Sequence, residues 1–218
     1  MLNIKNNLWV VNHPFAQQEL TKIRDKNTDR IQFRKGLVKL GRICGYELMK
    51  ILDKQEVEVE TPLEKCKGIK VADADNVVLI NVLRAATPFV EGLLKAFPSA
   101  RQGVISARRI ENENGNMDFN IEIRYSKFPE MTKRDVVIIA DPMLASGSTL
   151  IKVVEYVKNC ANPKKIIALS VLSSEFGMQK LSAAFPDVSF VTIAIDPRLN
   201  EHGYILPGLG DAGDRTFG

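Results

Sequence analysis

The sequence predicts an α/β fold, a twisted parallel sheet flanked by helices, and three observations carry that expectation. Four apolar runs rich in β-branched residues, NVVLINVL (residues 76–83), VVIIA (136–140), IIALSVL (166–172) and FVTIAI (190–195), have the continuous hydrophobicity of strands buried on both faces. Helical patterns lie near or between them, at residues 88–97, 148–158 and 175–185. Alternation at these lengths calls for right-handed crossovers, hence a parallel sheet whose ligands sit at the carboxyl ends of its strands.

With 218 residues, 45% of them hydrophobic, the chain can bury one core, so a single domain over residues 1–218 is expected. Residues 1–54 read as an N-terminal helical arm. Two helices fill residues 14–52 with a break near residues 25–28, and the second carries Ile31, Leu37, Ile43, Cys44, Leu48 and Ile51 at roughly helical spacing. EVEVET (56–61) alternates strictly and suits a half-exposed strand. Residues 102–129 read as two alternating strands around a turn centred on residues 113–116, a projecting β-hairpin able to cover a site. Glycine and proline crowd the last dozen residues, and no internal repeat or flexible linker appears.

Several functional classes fall away. No apolar run reaches the roughly 18 residues that cross a bilayer, and the first residues lack a signal-peptide pattern, so a cytoplasmic chain without a membrane partner is expected. Cys44, Cys66 and Cys160 share no close spacing and read as free thiols rather than a disulfide framework or zinc site. A net charge of +4 suits small anions, but no dense basic patch interleaved with aromatics is present, so no nucleic-acid partner is expected. His13 and His202 are isolated, with no companion at nucleophile or metal spacing.

The chemistry centres on the segment following VVIIA. Asp141 ends that run, and Pro142, Met143, Leu144, Ala145, Ser146, Gly147, Ser148 and Thr149 lead into a helix. Free N–H groups and the positive end of the helix suit a phosphate there, with hydroxyls from Ser146, Ser148 and Thr149 as further donors. Asp141 repels phosphate, and suits neighbouring sugar hydroxyls or a hydrated Mg²⁺. The same pattern also reads as an ordinary strand–turn–helix capped by Ser148. A nucleotide P-loop is excluded because no lysine lies in the segment. A GxGxxG match over residues 208–213 has no room for the helix and strand a dinucleotide site requires.

DPMLASGST (141–149) resembles the donor-binding signature of the phosphoribosyltransferases, in the form typical of their uracil-specific branch, with Ser146, Ser148 and Thr149 as small-residue departures. Leu83-Arg84-Ala85-Ala86 is similar to the family's pyrophosphate loop, with Ala86 in place of glycine. Arginine's planar fork makes paired, charge-assisted hydrogen bonds to a leaving group gaining charge. GYILPGLGDAGDRTFG (203–218) is similar to the hood that binds the base, here residues 196–218.

The resemblance implies a phosphoribosyltransferase-like sheet, transfer of the 5-phosphoribosyl group from phosphoribosyl pyrophosphate (PRPP) to N1 of uracil, and UMP and pyrophosphate as products. It assigns the donor to Arg84, Arg109 and residues 141–149 with Asp211, and assigns catalytic roles to Arg84, Asp141 and Asp211. One register step would exchange Arg109 with Arg108. Uracil falls to Ile205, Gly210, Asp211 and Ala212, largely through backbone groups that match its acceptor–donor–acceptor edge. Mg²⁺ is expected to be held mainly by PRPP, with no direct protein ligand set. Archaeal-type members add a GTP activator at the segment matching Lys35, Gly36, Leu37, Val38 and Lys39, a CTP inhibitor, and a dimer or tetramer. On residue pattern alone the basic stripe there reads as a solvated helix face, and only the resemblance sets the effector reading level with it. A nucleotide-sensing regulator built on the same domain is the competing class.

Overall fold

The computed structural model of the chain describes residues 1–5, 7–110 and 120–218. Its first half runs β1 (Leu2–Lys5), β2 (Leu8–Val10), α1 (Pro14–Arg24), α2 (Arg30–Leu48), β3 (Lys54–Glu60), β4 (Lys65–Val71), β5 (Val77–Leu83), α3 (Thr87–Ala96) and β6 (Arg101–Ile110). After it come β7 (Asn120–Lys127), β8 (Val136–Ala140), β9 (Met143–Leu144), α4 (Ser148–Cys160), β10 (Lys165–Ser174), α5 (Glu175–Ala184) and β11 (Ser189–Asp196). The chain closes with β12 (Arg198–Leu199), β13 (Ile205–Leu206) and α6 (Ala212–Phe217).

The main sheet has the order β1-β2-β11-β10-β8-β5-β6-β7, parallel from β2 to β6 and antiparallel at both edges. From β5 the chain moves one way to β6, then returns to the other side of β5 for β8, β10 and β11. The order therefore reverses between β5 and β8, and the carboxyl ends of those two strands open a crevice. Arg84 follows the first strand and Asp141 the second.

Alternating side chains divide the core into two layers. Val77 and Leu79 join Phe33, Leu37, Leu40, Phe89 and Leu93 under α1, α2 and α3, whereas Val78, Ile80 and Val82 join Val153, Val154, Val157, Met178 and Leu181 under α4 and α5. The N-terminal helices thus share one face of the core with α3. Asp29 starts α2 by accepting the Gln32 N–H at 2.8 Å. Two glycines bring α2 and α3 into backbone contact: a Cβ on Gly41 would lie 2.0 Å from the Phe89 carbonyl oxygen.

The four buried strands and the helices α3, α4 and α5 stand where the pattern places them. EVEVET does not. Its segment belongs to β3, which pairs only with β4 in a separate hairpin and is exposed on nearly every residue rather than on alternate ones. With no third strand paired to this hairpin among the described residues, alternation there buries little. Residues 102–129 contain the expected antiparallel pair, β6 and β7, while the turn at residues 113–116 lies outside the described residues. No described helix is long and apolar enough to cross a membrane.

Candidate active site

A cleft of about 380 Å³ opens over the β5/β8 crevice. Val82, Leu83, Arg84 and Ala85 form one wall, Asp141, Met143, Ala145 and Thr149 the floor, and Gly203, Tyr204, Ile205 and Gly210–Gly213 the roof, with Ala107 and His202 at the margin. Three segments remote in sequence meet because two follow strands at the switch point and the third folds back over them.

Local interactions set each wall. Thr87 donates through its N–H at 3.2 Å and its hydroxyl at 3.0 Å to the Arg84 carbonyl, pinning the loop that presents an exposed guanidinium. That guanidinium lies 5.8 Å from the Phe217 ring centroid, which brings the hood's last turn beside it. Ala86 has φ −75° and ψ −11°, an ordinary helical conformation, so alanine is accommodated here without strain. The Leu83–Arg84 peptide bond is cis.

The 141–149 loop starts α4 on Gly147, whose φ of +82° favours glycine. The N-cap is Gly147, so Ser148 does not cap the helix. The Ser148 N–H faces the Ser146 hydroxyl oxygen at 3.5 Å, and the start of α4 lies next to a small hollow lined by Asp141, Met143, Leu144, Ala145, Ser146, Gly147, Thr149 and Leu150. Thr149 borders both hollows. Ser148 and Pro142 border neither, and the Ser148 hydroxyl accepts from Ser146 at 3.2 Å beneath the loop. Asp141 Oδ1 accepts the Met143 N–H at 3.2 Å, and Asp211 Oδ1 accepts the Asp214 N–H at 2.9 Å as the N-cap of α6.

Of the arginines at the projecting hairpin, Arg108 is exposed, and position 109 follows cleft-lining Ala107 by two residues on the same strand. The side chain of Arg109 lies outside the described residues. In α2, Lys35 and Lys39 are exposed and Val38 half-buried, while Gly36 and Leu37 are buried in helix packing. Lys39 is paired with Glu19 at 3.1 Å.

The family match is long. The uracil phosphoribosyltransferase family spans residues 10–218 of the chain. The chain belongs to that family. The uracil phosphoribosyltransferase of Sulfurisphaera tokodaii is 51% identical over 97% of this chain and 99% of its own, and that of Thermococcus gammatolerans 54% identical over 94% and 90%. A solved protein of Aquifex aeolicus superimposes with a TM-score of 0.85 at 31% identity, covering 96% of this chain and 97% of its own. The adenine phosphoribosyltransferase of Trypanosoma brucei, at TM-score 0.57 and 11% identity over 89% and 86% of the two chains, shares the fold.

Within this family member the cleft gathers Arg84, Asp141, Thr149, Ile205, Gly210, Asp211 and Ala212, all anticipated from sequence. Residues behind the cleft were not anticipated. Ser174 caps α5 by accepting the Gly177 N–H at 2.8 Å and donates to the Ala145 carbonyl at 2.6 Å, bracing the loop from below. Arg24, Asp196 and Arg215 tie the hood to α1. The helix-start pattern at Ser174 was a usable signal; the arginines carried none beyond their charge.

Proposed function

We propose that this chain transfers the 5-phosphoribosyl group of PRPP to N1 of uracil, in pyrimidine salvage in the cytoplasm. The C1′–oxygen bond to pyrophosphate breaks, the N1–C1′ bond forms, and the N1 proton leaves to solvent. The observation that carries this reading is the meeting of an arginine loop, a phosphate-suited helix start and a glycine-rich roof on one cleft at the switch point. Each suits one part of the reaction.

In this reading the loop from Asp141 to Thr149 holds the 5′-phosphate through its open N–H groups, and Asp141 holds the ribose hydroxyls. Arg84 and Arg109 bind the pyrophosphate and stabilise its growing charge. Uracil lies against Ile205, Gly210, Asp211 and Ala212, whose backbone groups match its edge; cytosine presents a donor where uracil accepts, and a buried mismatch costs about 1–3 kcal/mol. Catalysis is positioning and electrostatics, with no side chain required as general base.

Magnesium fits the donors present. The cleft offers two carboxylates, Asp141 and Asp211, and the described residues contain no cluster of three or more metal-ligating side chains. Mg²⁺ commonly takes one or two carboxylates together with substrate phosphates, and supplies charge neutralisation to the departing pyrophosphate. GTP activation through Lys35–Lys39, CTP inhibition and a dimer or tetramer are further proposals, resting on resemblance to archaeal-type members; exposed Lys35 suits an anion. No observation favours the nucleotide-sensing regulator, which has no need of a pyrophosphate arginine.

Measuring UMP formation by Arg84→Ala and Asp141→Asn tests the assignment. Each is expected to lose about 10²-fold or more in kcat/KM. Near-normal turnover in both would overturn it.

A further inference from the structure

A roof that reads its base with backbone groups is only as selective as the placement of its peptide units. In this chain two arginines fix those units. Arg24, the last residue of α1, grips Asp196 at the end of β11 in a two-point pair, Nη1 to Oδ2 and Nη2 to Oδ1, each at 2.7 Å. Its Nη1 also donates to the Gly208 carbonyl at 2.7 Å, and the Gly208 N–H donates to Asp196 Oδ2 at 2.8 Å. Both backbone groups of Gly208 are therefore fastened to one ion pair.

Arg215, in α6, fastens the next residue. It donates to the Leu209 carbonyl at 2.8 Å, to the Asp25 carbonyl at 2.6 Å and to the Ile23 carbonyl, with its guanidinium 4.4 Å from the Phe33 ring centroid. The carbonyls of Ile23 and Asp25 belong to the end of α1, where helix geometry leaves acceptors unpaired. Successive carbonyls, 208 and 209, are thus tied to the same helix end immediately before Gly210, Asp211 and Ala212 enter the cleft.

None of the three side chains lines the cleft. Burial works against the charge on Asp196, but Arg24 and the Gly208 N–H overcome it and hold the carboxyl below its ordinary range. A buried ion pair adds little net stability over apolar packing, because desolvation offsets attraction; its better-attested use is to fix one geometry. The planar forks suit that use, since each reaches several acceptors from one rigid group.

We infer that Arg24, Asp196 and Arg215 form a clasp that positions the hood over the base, and that this clasp sets selectivity for uracil. The inference rests on the uracil-transfer reading above. All three are positioning residues, acting through the backbone of residues 208–212.

The test is Arg24→Lys and Arg215→Lys in the full chain, where lysine keeps the charge but cannot span the same acceptors. KM for uracil is expected to rise about 10- to 100-fold, at least about fivefold more than KM for PRPP, and the preference for uracil over cytosine to fall at least about tenfold. Hydrogen exchange at the amides of residues 208–213 should quicken while the β5 and β8 amides stay protected. Equal rises in both KM values, an unchanged base preference, or a lower melting temperature without the KM split overturns the clasp. The exchange measurement separates this inference from the reaction it rests on. If the unaltered chain forms no UMP, the functional reading fails, and unchanged hood exchange in both variants overturns the clasp by itself. Using two variants on opposite sides of the hood keeps the test alive if one does not fold.

Discussion

Gly177 lines neither hollow, yet replacing it with alanine should impair donor use, because it sets the height of the phosphate loop. A Cβ at residue 177 would stand 2.2 Å from the Ala145 carbonyl oxygen and 3.1 Å from its carbon. Ordinary contact needs about 1 Å more, so either α5 or the Ala145–Gly147 peptides must move. The loop is the thinner body: α5 is anchored by Met178 and Leu181 in the core, whereas the Ala145 carbonyl is held below by one Ser174 hydroxyl at 2.6 Å.

A displacement of about 1 Å at groups that orient a reacting substrate costs on the order of 10²-fold, so kcat/KM for PRPP should fall by about that factor while KM for uracil stays nearly constant. Alanine is the better helix former by about 0.5–1 kcal/mol, so weakening of α5 cannot explain the loss. Overpacking opposes that gain by about 1–3 kcal/mol, and for a chain of this size the melting temperature should fall by no more than about 10 °C. Steady-state UMP formation with PRPP varied at saturating uracil, beside a thermal melt, reads both. Unchanged kcat/KM with a lowered melting temperature would mean that α5 moved instead, and would refute the claim that residues 174–177 set the loop.

Two further outcomes follow from burial and charge. Cys44 has no exposed surface, and burial pushes its thiol well above the ordinary range, whereas Cys66 and Cys160 are exposed. A thiol reagent should therefore modify two cysteines quickly and Cys44 only on unfolding; rapid modification of all three in the folded chain would contradict the packing of α2 against α3. Asp196 ionises more readily folded than unfolded, so the stability it contributes is fully present above the ordinary aspartate value of about 3.9 and disappears as pH falls through its lower folded value. The urea midpoint should rise from strong acid toward pH 5, and Asp196→Asn should flatten part of that rise; parallel profiles would rule out the linkage.

How far the sequence foretold the molecule depended on whether a contact leaves a residue-type imprint. A strand buried on both faces must be apolar throughout, so β5, β8, β10 and β11 were legible, and the alternation of helices and strands pointed to the carboxyl edge, where the cleft lies. β1, β2 and β4 were not. β1 and β2 lie at the sheet edge in runs of three or four residues, and β4, KCKGIKV, lacks apolar alternation because its hairpin covers no core.

The site divides along the same line. Arg84, Asp141 and Gly210 stand in segments whose residue types suit a charged ligand or a close backbone approach, and all three line the cleft. Arg24 meets Gly208, and Arg215 meets Leu209, Asp25 and Ile23, through main-chain carbonyls, which every residue type provides. A fork on a carbonyl constrains only the arginine, so in sequence Arg24 reads as a favourable charge in the last turn of a helix and nothing more. Asp196 did have a readable partner type, but its pair lies 172 residues away, and no periodicity spans that distance. The tie between the chain's first helix and its last loop becomes visible only once the sheet has brought β11 back beside β2, which sets the end of β11 and the end of α1 within reach of one guanidinium.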